Sequence, residues 1–494
     1  MRIWITVALI ISFILALAAS GLNTIKKTAE PHAPLDQFIA HLNGRIPALM
    51  ELYHIPGSSM ALVKGGELVW SEAYGYADME TGRKLTTDTP MRVQSISKSV
   101  TAWGVMKLAE QGKIELNAPV KQYLKTWRFP SSGTSAERVT IRHLLSHTAG
   151  LPLGDVFTIY APGEAMPSLE EKLLEEAVFI REPGRTFSYS NTGYNLLELL
   201  IEEVTGQSFA GYMEQEILKP LEMYRSTFVW SETLDPAVPV GYNLDGKPVP
   251  VYVYPEKASG GLFSTAEDIA AFTIAGMKDV PQGKQVLNPG DIDALYTPVS
   301  HDIGIYGLVF DAYGLGHYIE TLPNGKQAIS HGGQGSGIMT HFQTVPETGD
   351  AIVILTNSQR SWPFIACLLS DWAKWRGFGS VGMSRIIWGK YGIWTIIGLI
   401  WSAALLQTLR LTTGIMNRKH KETALLLKNS TPLRITLAGA SFIIMGGLTW
   451  CLCQKYLFLT SVFPRASLWL GISAFALAII LLLSALFTDR KSCR

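Results

Sequence analysis

Three stretches without a single charged residue, 391–409, 435–454 and 466–488, constrain this chain more than anything else in it. Each is predominantly apolar and close to the roughly 20 residues that a helix needs to cross the bilayer core. Lipid offers no water to backbone N–H and C=O groups, so such a segment must satisfy its own polar backbone, as a helix does. Trp388, Trp394, Trp450, Tyr456 and Trp469 fall near the ends of the stretches, where amphipathic rings favour the membrane–water boundary. Three transmembrane helices at residues 391–409, 435–454 and 466–488 are therefore expected, with the lipid bilayer as a partner.

Basic residues set the expected orientation. Arg410, Arg418, Lys419, Lys421, Lys428 and Arg434 lie between the first two stretches, opposed only by Glu422, whereas Lys455 and Arg465 lie between the second and third. The positive-inside rule puts the first of these loops in the cytoplasm with the Arg490-Lys491 tail, and the domain that ends at about residue 385 outside. Arg376, Arg385 and Lys390 on the outer side weaken the bias without reversing it. At the other end Met1 and Arg2 precede an apolar run over 3–19 that closes in small residues. Residues 1–20 read as a secretory signal peptide, cleaved after Ala18 or Ser20, or as an uncleaved N-terminal anchor. Both agree with an exported domain and a multi-pass cell-membrane protein.

The region of about 30–380 is long enough for a large single domain. With 42 basic and 41 acidic residues the net charge is +1, and no basic stripe with interleaved aromatics is present, so nucleic acid is not an expected partner. Of the cysteines Cys367, Cys451, Cys453 and Cys493, only Cys367 lies in this region, which leaves no internal disulfide there. Residues 59–63 and 67–74 read as strands joined by Lys64-Gly65-Gly66. Residues 100–108, 169–178, 195–204 and 361–375 have helical periodicity, and residues 351–355 are rich in β-branched side chains. Strands at both ends with helices between suggest an α/β sheet flanked by a helical subdomain.

The chemistry-bearing residues follow in one order. Ser95-Ile96-Ser97-Lys98 opens the helical pattern, then come Tyr189-Ser190-Asn191 and His331-Gly332-Gly333. A Ser-x-x-Lys alone arises about twice by chance in a chain of this length, so the ordered set carries the weight. On a helix Lys98 shares a face with Ser95 and can take its proton, if desolvation or a nearby cation lowers the lysine pKa. The helix N-terminus adds N–H groups and a positive dipole end. Tyr189 brings a phenol that can shuttle a proton if neighbouring cations depress its pKa. Asn191 can bond a substrate amide or Lys98. A short, weakly β-like run at 327–330 leads into the third motif. The small pair at Gly332-Gly333 lets a substrate backbone lie against a strand edge. His331 can hold a carboxylate or tune the Lys98–Tyr189 pair, and the backbone N–H of Gln334 can join that of Ser95 as an oxyanion hole.

Other catalytic readings fit less well. No Gly-x-Ser-x-Gly elbow exists. His143 and His147 have the spacing of zinc ligands on a helix, but Leu144 stands where a metalloprotease needs Glu, so a structural role is expected and no metal. Walker and dinucleotide motifs are missing, and no cofactor is expected.

With these motifs assembled the chain resembles the class C β-lactamase-like serine hydrolases, a group that includes low-molecular-weight penicillin-binding proteins and related esterases. The resemblance covers roughly residues 35–375 and rests on 93–98, on 141–151, on 183–194, on Ser259-Gly260-Gly261-Leu262-Phe263-Ser264-Thr265, and on 329–333. It implies an α/β fold, with an antiparallel sheet flanked by helices and a helical subdomain, followed here by transmembrane helices. It further implies a nucleophile at Ser95, a base pair of Lys98 and Tyr189, and an acyl-enzyme formed from a small peptide, ester or β-lactam-like substrate. One departure is His331, where true β-lactamases usually carry Lys, which favours peptidase or esterase activity over potent β-lactam hydrolysis. An exported domain before three spans also looks like the prodrug-activating D-peptidases of natural-product pathways, but Arg92 does not match the acid expected in their D-Asn-specific members. A non-catalytic membrane sensor is the alternative of another class. Intact Ser95, Lys98 and Tyr189 argue against it.

Overall fold

The computed structural model describes residues 29–130, 134–156, 158–278, 285–416, 432–454 and 457–487. The N-terminal segment 1–20, most of the basic loop after the first span and the Arg490-Lys491 tail lie outside the described residues. Residues 28–385 form one compact unit, and the helices from Ile386 onward belong to another.

The first unit is built on an eight-stranded antiparallel sheet of order β3-β2-β1-β12-β11-β10-β9-β8. Helix α1 (Leu35–Tyr53) leads into the hairpin β1 (Gly57–Lys64) and β2 (Glu67–Asp78). Its two-residue turn is Gly65-Gly66, with φ of 62° and 81°, the conformation that matches strand twist and that glycine adopts without strain. Short strands β3 (Arg83–Lys84) and β4 (Met91–Arg92) come before helix α2 (Ile96–Glu110). The helical subdomain holds α3 (Leu169–Glu176) and α4 (Asn191–Thr205). The chain returns through β5 (Gly241–Tyr242), β6 (Pro248–Val249), β7 (Phe263–Ser264) and α5 (Ala266–Ala275). Strands β8 (Ala312–Tyr313), β9 (Tyr318–Thr321), β10 (Gln327–Gly335), β11 (Ile338–Val345) and β12 (Asp350–Thr356) complete the sheet, and α6 (Trp362–Trp375) closes the unit.

The central strands β1, β11 and β12 are buried along almost their whole length, so both faces of the sheet are covered there, although only β12 reads as a near-continuous apolar run. Side chains alternate across a strand. Ala61, Val63, Ala351, Val353, Leu355 and Phe342 join the core that contains Val100, Trp103 and Leu108 of α2 with Ile269 and Phe272 of α5. On the other face the terminal helices α1 and α6 pack together, with Phe38 stacked on Trp375 at 4.1 Å between ring centroids. The two ends of this unit thereby cover one side of the sheet, and α2 is enclosed on the other.

In the second unit α7 (Ser384–Met416), α8 (Pro432–Cys453) and α9 (Pro464–Phe487) are long and apolar enough to cross a membrane. Helix α7 extends its expected stretch at both ends, whereas α8 and α9 begin three and two residues before theirs and end one residue short of them. Arg434 is buried and donates to the carbonyls of Ala485 (2.7 Å) and Leu486 (3.1 Å), so its charge serves the end of α9.

Candidate active site

A tight turn presents Ser95. Arg92 of β4 pairs with Phe263 of β7, and Val93 N donates to Leu262 O at 3.0 Å. Gln94 then takes the left-handed conformation (φ 53°), and Ser95 caps α2. Ser97 Oγ locks the turn, donating to Gln94 O (2.6 Å) and accepting from Leu262 N (3.0 Å). Between Met91 and Met106 only Ser95 is not fully buried, so solvent and substrate meet this helix at that side chain.

Lys98 is completely buried, and its Nζ lies 3.0 Å from Ser95 Oγ and 2.6 Å from Ser259 O. Burial pushes the amine well below the ordinary lysine range. Loop 256–259, which carries the Ser259 carbonyl, is held by a carboxylate. Glu198 of α4 accepts from Lys257 N (2.5 Å) and Ala258 N (2.8 Å), and Thr101 Oγ1 of α2 donates to Ala258 O (3.0 Å).

Tyr189 comes from the turn before α4. Ser188 N donates to His147 O (2.7 Å), Ser190 N donates to His147 Nδ1 (3.1 Å), and Ser190 Oγ caps α4 by accepting from Gly193 N (2.9 Å). The Tyr189 hydroxyl is hydrogen-bonded to Ser95, and Lys98 Nζ lies 5.1 Å from the centre of its ring. Burial, followed by the Tyr306 phenol, holds its pKa well above the usual value. The sequence allowed a depressed phenol here. The structure gives a neutral one, because Lys98 is itself desolvated and an aromatic wall surrounds the ring: His147 at 4.3 Å, Tyr306 at 5.4 Å and His331 at 6.3 Å.

Asn191 opens α4, and its buried Oδ1 has no hydrogen-bond partner among the described residues. A bond from Lys98 to this oxygen is therefore not made here.

The opposite wall is β10, longer than the short run expected from the sequence. Its pairing with β9 stops at Ser330↔Tyr318, whereas its pairing with β11 continues to Gly335↔Ile338, so residues 331–335 present an edge on the β9 side. Pairing alternates along an antiparallel strand, and the Ser336-Gly337 turn places the Gly335↔Ile338 pair at the hairpin end, so the Gln334 backbone faces that edge. Gly333 is obligatory in space: a Cβ there would overlap Val93 O and Thr340 Oγ1 and stand 2.8 Å from Gln94 Cβ. The Gln334 side chain accepts from Trp362 Nε1 at 3.0 Å. His331 is buried behind the edge, with Nδ1 2.8 Å from Gly332 O and Nε2 3.4 Å from the Tyr313 hydroxyl. Burial and then Lys98 hold the imidazole well below its ordinary pKa, so it is neutral and does not offer a cation to a substrate carboxylate.

The structure thus brings Ser95, Lys98, Tyr189, Asn191 and the edge of Gly333 and Gln334 together, with His331 behind them. Sequence reasoning placed Gln94 and Ser259 within the motifs that carry the resemblance without giving them a role, and it missed Glu198 and the part His147 plays. Ser259 and Gln94 act through backbone, which carries no residue-type signal. Glu198 was detectable as an acid on the buried face of α4, between Tyr194 and Ile201. His143 is structural as expected, its backbone N and ring bonding Thr140 at the start of a short helix.

The family model described as Beta-lactamase matches residues 42–368. Protein flp of Staphylococcus aureus (strain NCTC 8325 / PS 47) is 27% identical over 312 residues, covering 62% of this chain and 60% of its own length. The chain therefore spans about three-fifths of those Staphylococcus relatives. Penicillin-binding protein 4 of Amycolatopsis lactamdurans is 27% identical over 341 residues, covering 67% of this chain and 88% of its own. Among solved structures, the octameric penicillin-binding protein homologue from Pyrococcus abyssi is 30% identical with a TM-score of 0.56, covering 67% of this chain and 77% of its own. SurE is similar in fold alone, at 23% identity and a TM-score of 0.58, with 70% of this chain and 77% of its own covered. The matched region runs from α1 into α6 and includes every element that builds the site, and on that ground the chain belongs to the β-lactamase family.

Proposed function

We propose that the protein is a membrane-anchored serine hydrolase whose catalytic unit lies outside the cytoplasm and works through an acyl-enzyme on a small amide or ester. The observation that carries this reading is a fully buried Lys98 amine 3.0 Å from the only accessible side chain of its turn, Ser95. A neutral amine accepts the Ser95 proton as Oγ bonds to the substrate carbonyl carbon. The oxyanion lies against the N–H groups of Ser95 and Gln334. The neutral phenol of Tyr189, bonded to Ser95, relays the proton from Lys98 to the leaving nitrogen or oxygen as its bond to carbon breaks. Water then attacks the ester by the same route in reverse. Asn191 Oδ1 accepts the substrate N–H.

The name of the Amycolatopsis relative, with 88% of its length matched, supports acylation by β-lactams. The neutral His331 favours esters, amides and D-Ala-type peptides over rapid β-lactam hydrolysis. The test is partitioning. Several esters of one acyl group, hydrolysed in added methanol, should give one common ratio of methyl ester to acid, because all pass through the same acyl-enzyme. Ratios that change with the leaving group would overturn the reading.

A further inference from the structure

One short segment of the catalytic unit joins the active-site wall to the start of the first membrane helix. Residues Gly304–Leu308 form a single 3-10 turn between the buried Ile303 and Phe310. Its apolar side chains Ile305 and Leu308 are 48% and 62% exposed. Between them Tyr306 turns inward, with ring centroids 5.4 Å from Tyr189 and 5.5 Å from Tyr318. The same turn is tied to residues 382–385: Arg385 Nη1 donates to Leu308 O at 3.2 Å, and Gly382 lies so close to the Val309 carbonyl that a Cβ would overlap it.

Arg385 is the second residue of α7, whose membrane-competent part, Ser384–Thr413, has 30 residues. At 1.5 Å per residue that is about 45 Å, against a hydrocarbon core of about 30 Å, so the ends of this helix lie in the headgroup layers. Trp388, 72% exposed one turn further on, is a side chain suited to that layer. Chain continuity therefore keeps Arg385, and with it the Leu308 carbonyl, at the lipid surface.

We propose that Gly304–Leu308 docks on the bilayer, with Ile305 and Leu308 inserted at the headgroup boundary and Tyr306 holding the catalytic wall against it. The site would then draw substrates from the membrane surface, which selects amphiphilic acyl esters or amides. The docking does not rest on the acyl-enzyme reading, although the substrate class does.

The test uses the full chain in phosphatidylethanolamine–phosphatidylglycerol vesicles, with Cys451, Cys453 and Cys493 replaced by Ser and the buried Cys367 retained. An environment-sensitive fluorophore on Ile305→Cys or Leu308→Cys should be quenched by lipids carrying a shallow nitroxide about three-fold more than one on Asn324→Cys, an exposed loop position. Quenching equal to the Asn324→Cys control at both sites would overturn the docking, and this readout needs no turnover. In the double variant Ile305→Asp/Leu308→Asp, the rate on a long-chain ester held in vesicles should fall about ten-fold relative to that on a water-soluble short-chain ester. An unchanged ratio beside strong quenching would overturn the substrate class and leave the docking standing.

Discussion

Replacing Gly333 by Ala perturbs the site without touching a catalytic group. The added methyl would overlap the Val93 carbonyl and Thr340 Oγ1, and it would stand 2.8 Å from Gln94 Cβ. None of these can give way freely. Val93 N is bonded to Leu262 O, Thr340 Oγ1 donates to Val93 O at 2.7 Å, and Gln94 is fixed in the left-handed turn. Strand β10 must withdraw from the nucleophile turn by on the order of 1 Å, and overpacking of this kind costs about 1–3 kcal/mol. A shift of that size between the Ser95 and Gln334 N–H groups is expected to lower kcat/KM about 100-fold. Ester hydrolysis and thermal melting of the full chain in detergent measure both effects. Gly44→Ala is the control: nothing lies within 4 Å of a Cβ at that α1 position, so its activity should be unchanged and its stability slightly raised. Wild-type kcat/KM and Tm in Gly333→Ala would refute the claim that the strand edge is held against the turn.

Four further outcomes follow from the same geometry. Lys98→Met should lower kcat by several orders of magnitude without lowering Tm, because a buried amine with a depressed pKa opposes folding over the whole neutral range; a large fall in Tm would show that Lys98 is mainly a structural residue. Tyr189→Phe should cost far less when added to Lys98→Met than alone, measured by single-turnover acylation, and full activity in Tyr189→Phe would leave Lys98 as the only base. Burial raises the Glu198 and Glu320 carboxyls to about 7. A raised folded pKa contributes stability at acid pH that is lost as pH rises from the unfolded value through the folded one. The Tm of the wild type should therefore fall relative to that of Glu320→Gln as pH rises from about 5 to 7.5, and a difference that does not change with pH would contradict this. Cysteine labelling in intact cells should reach Asn324→Cys and spare His420→Cys if the catalytic unit is extracytoplasmic, and the opposite pattern would reverse the orientation.

The membrane helices were legible because hydropathy over 20 residues is a one-dimensional signal that no tertiary contact can override. The hairpin at Gly65-Gly66 and helix α2 were legible for a similar reason, since turn chemistry and apolar spacing are local. Strand β10 was read short because Gly332, Gly333 and Gly335 have poor strand propensity, and only the close approach of Trp362 to Gly332, of Val93 and Gln94 to Gly333, and of Gln94 to Gly335 explains their presence. The Ser95–Lys98 pair was visible as two side chains at helical spacing. Their supports were not. The Ser259 carbonyl is a backbone atom, and Glu198 holds its loop, through Lys257 N and Ala258 N, from another element about 60 positions earlier in the chain. The neutral state of Tyr189 and of His331 depends on how many aromatic rings exclude water from them, which only the folded packing determines.

Covalent labelling tests the central claim most directly. The full chain treated with a fluorophosphonate, and separately with a penicillin, should gain one adduct by intact mass, located by peptide mapping on the segment that carries Ser95. Ser95→Ala should gain none, and Lys98→Met should react far more slowly. An adduct formed equally in Ser95→Ala, or located on another serine, would contradict the assignment of Ser95 as the nucleophile.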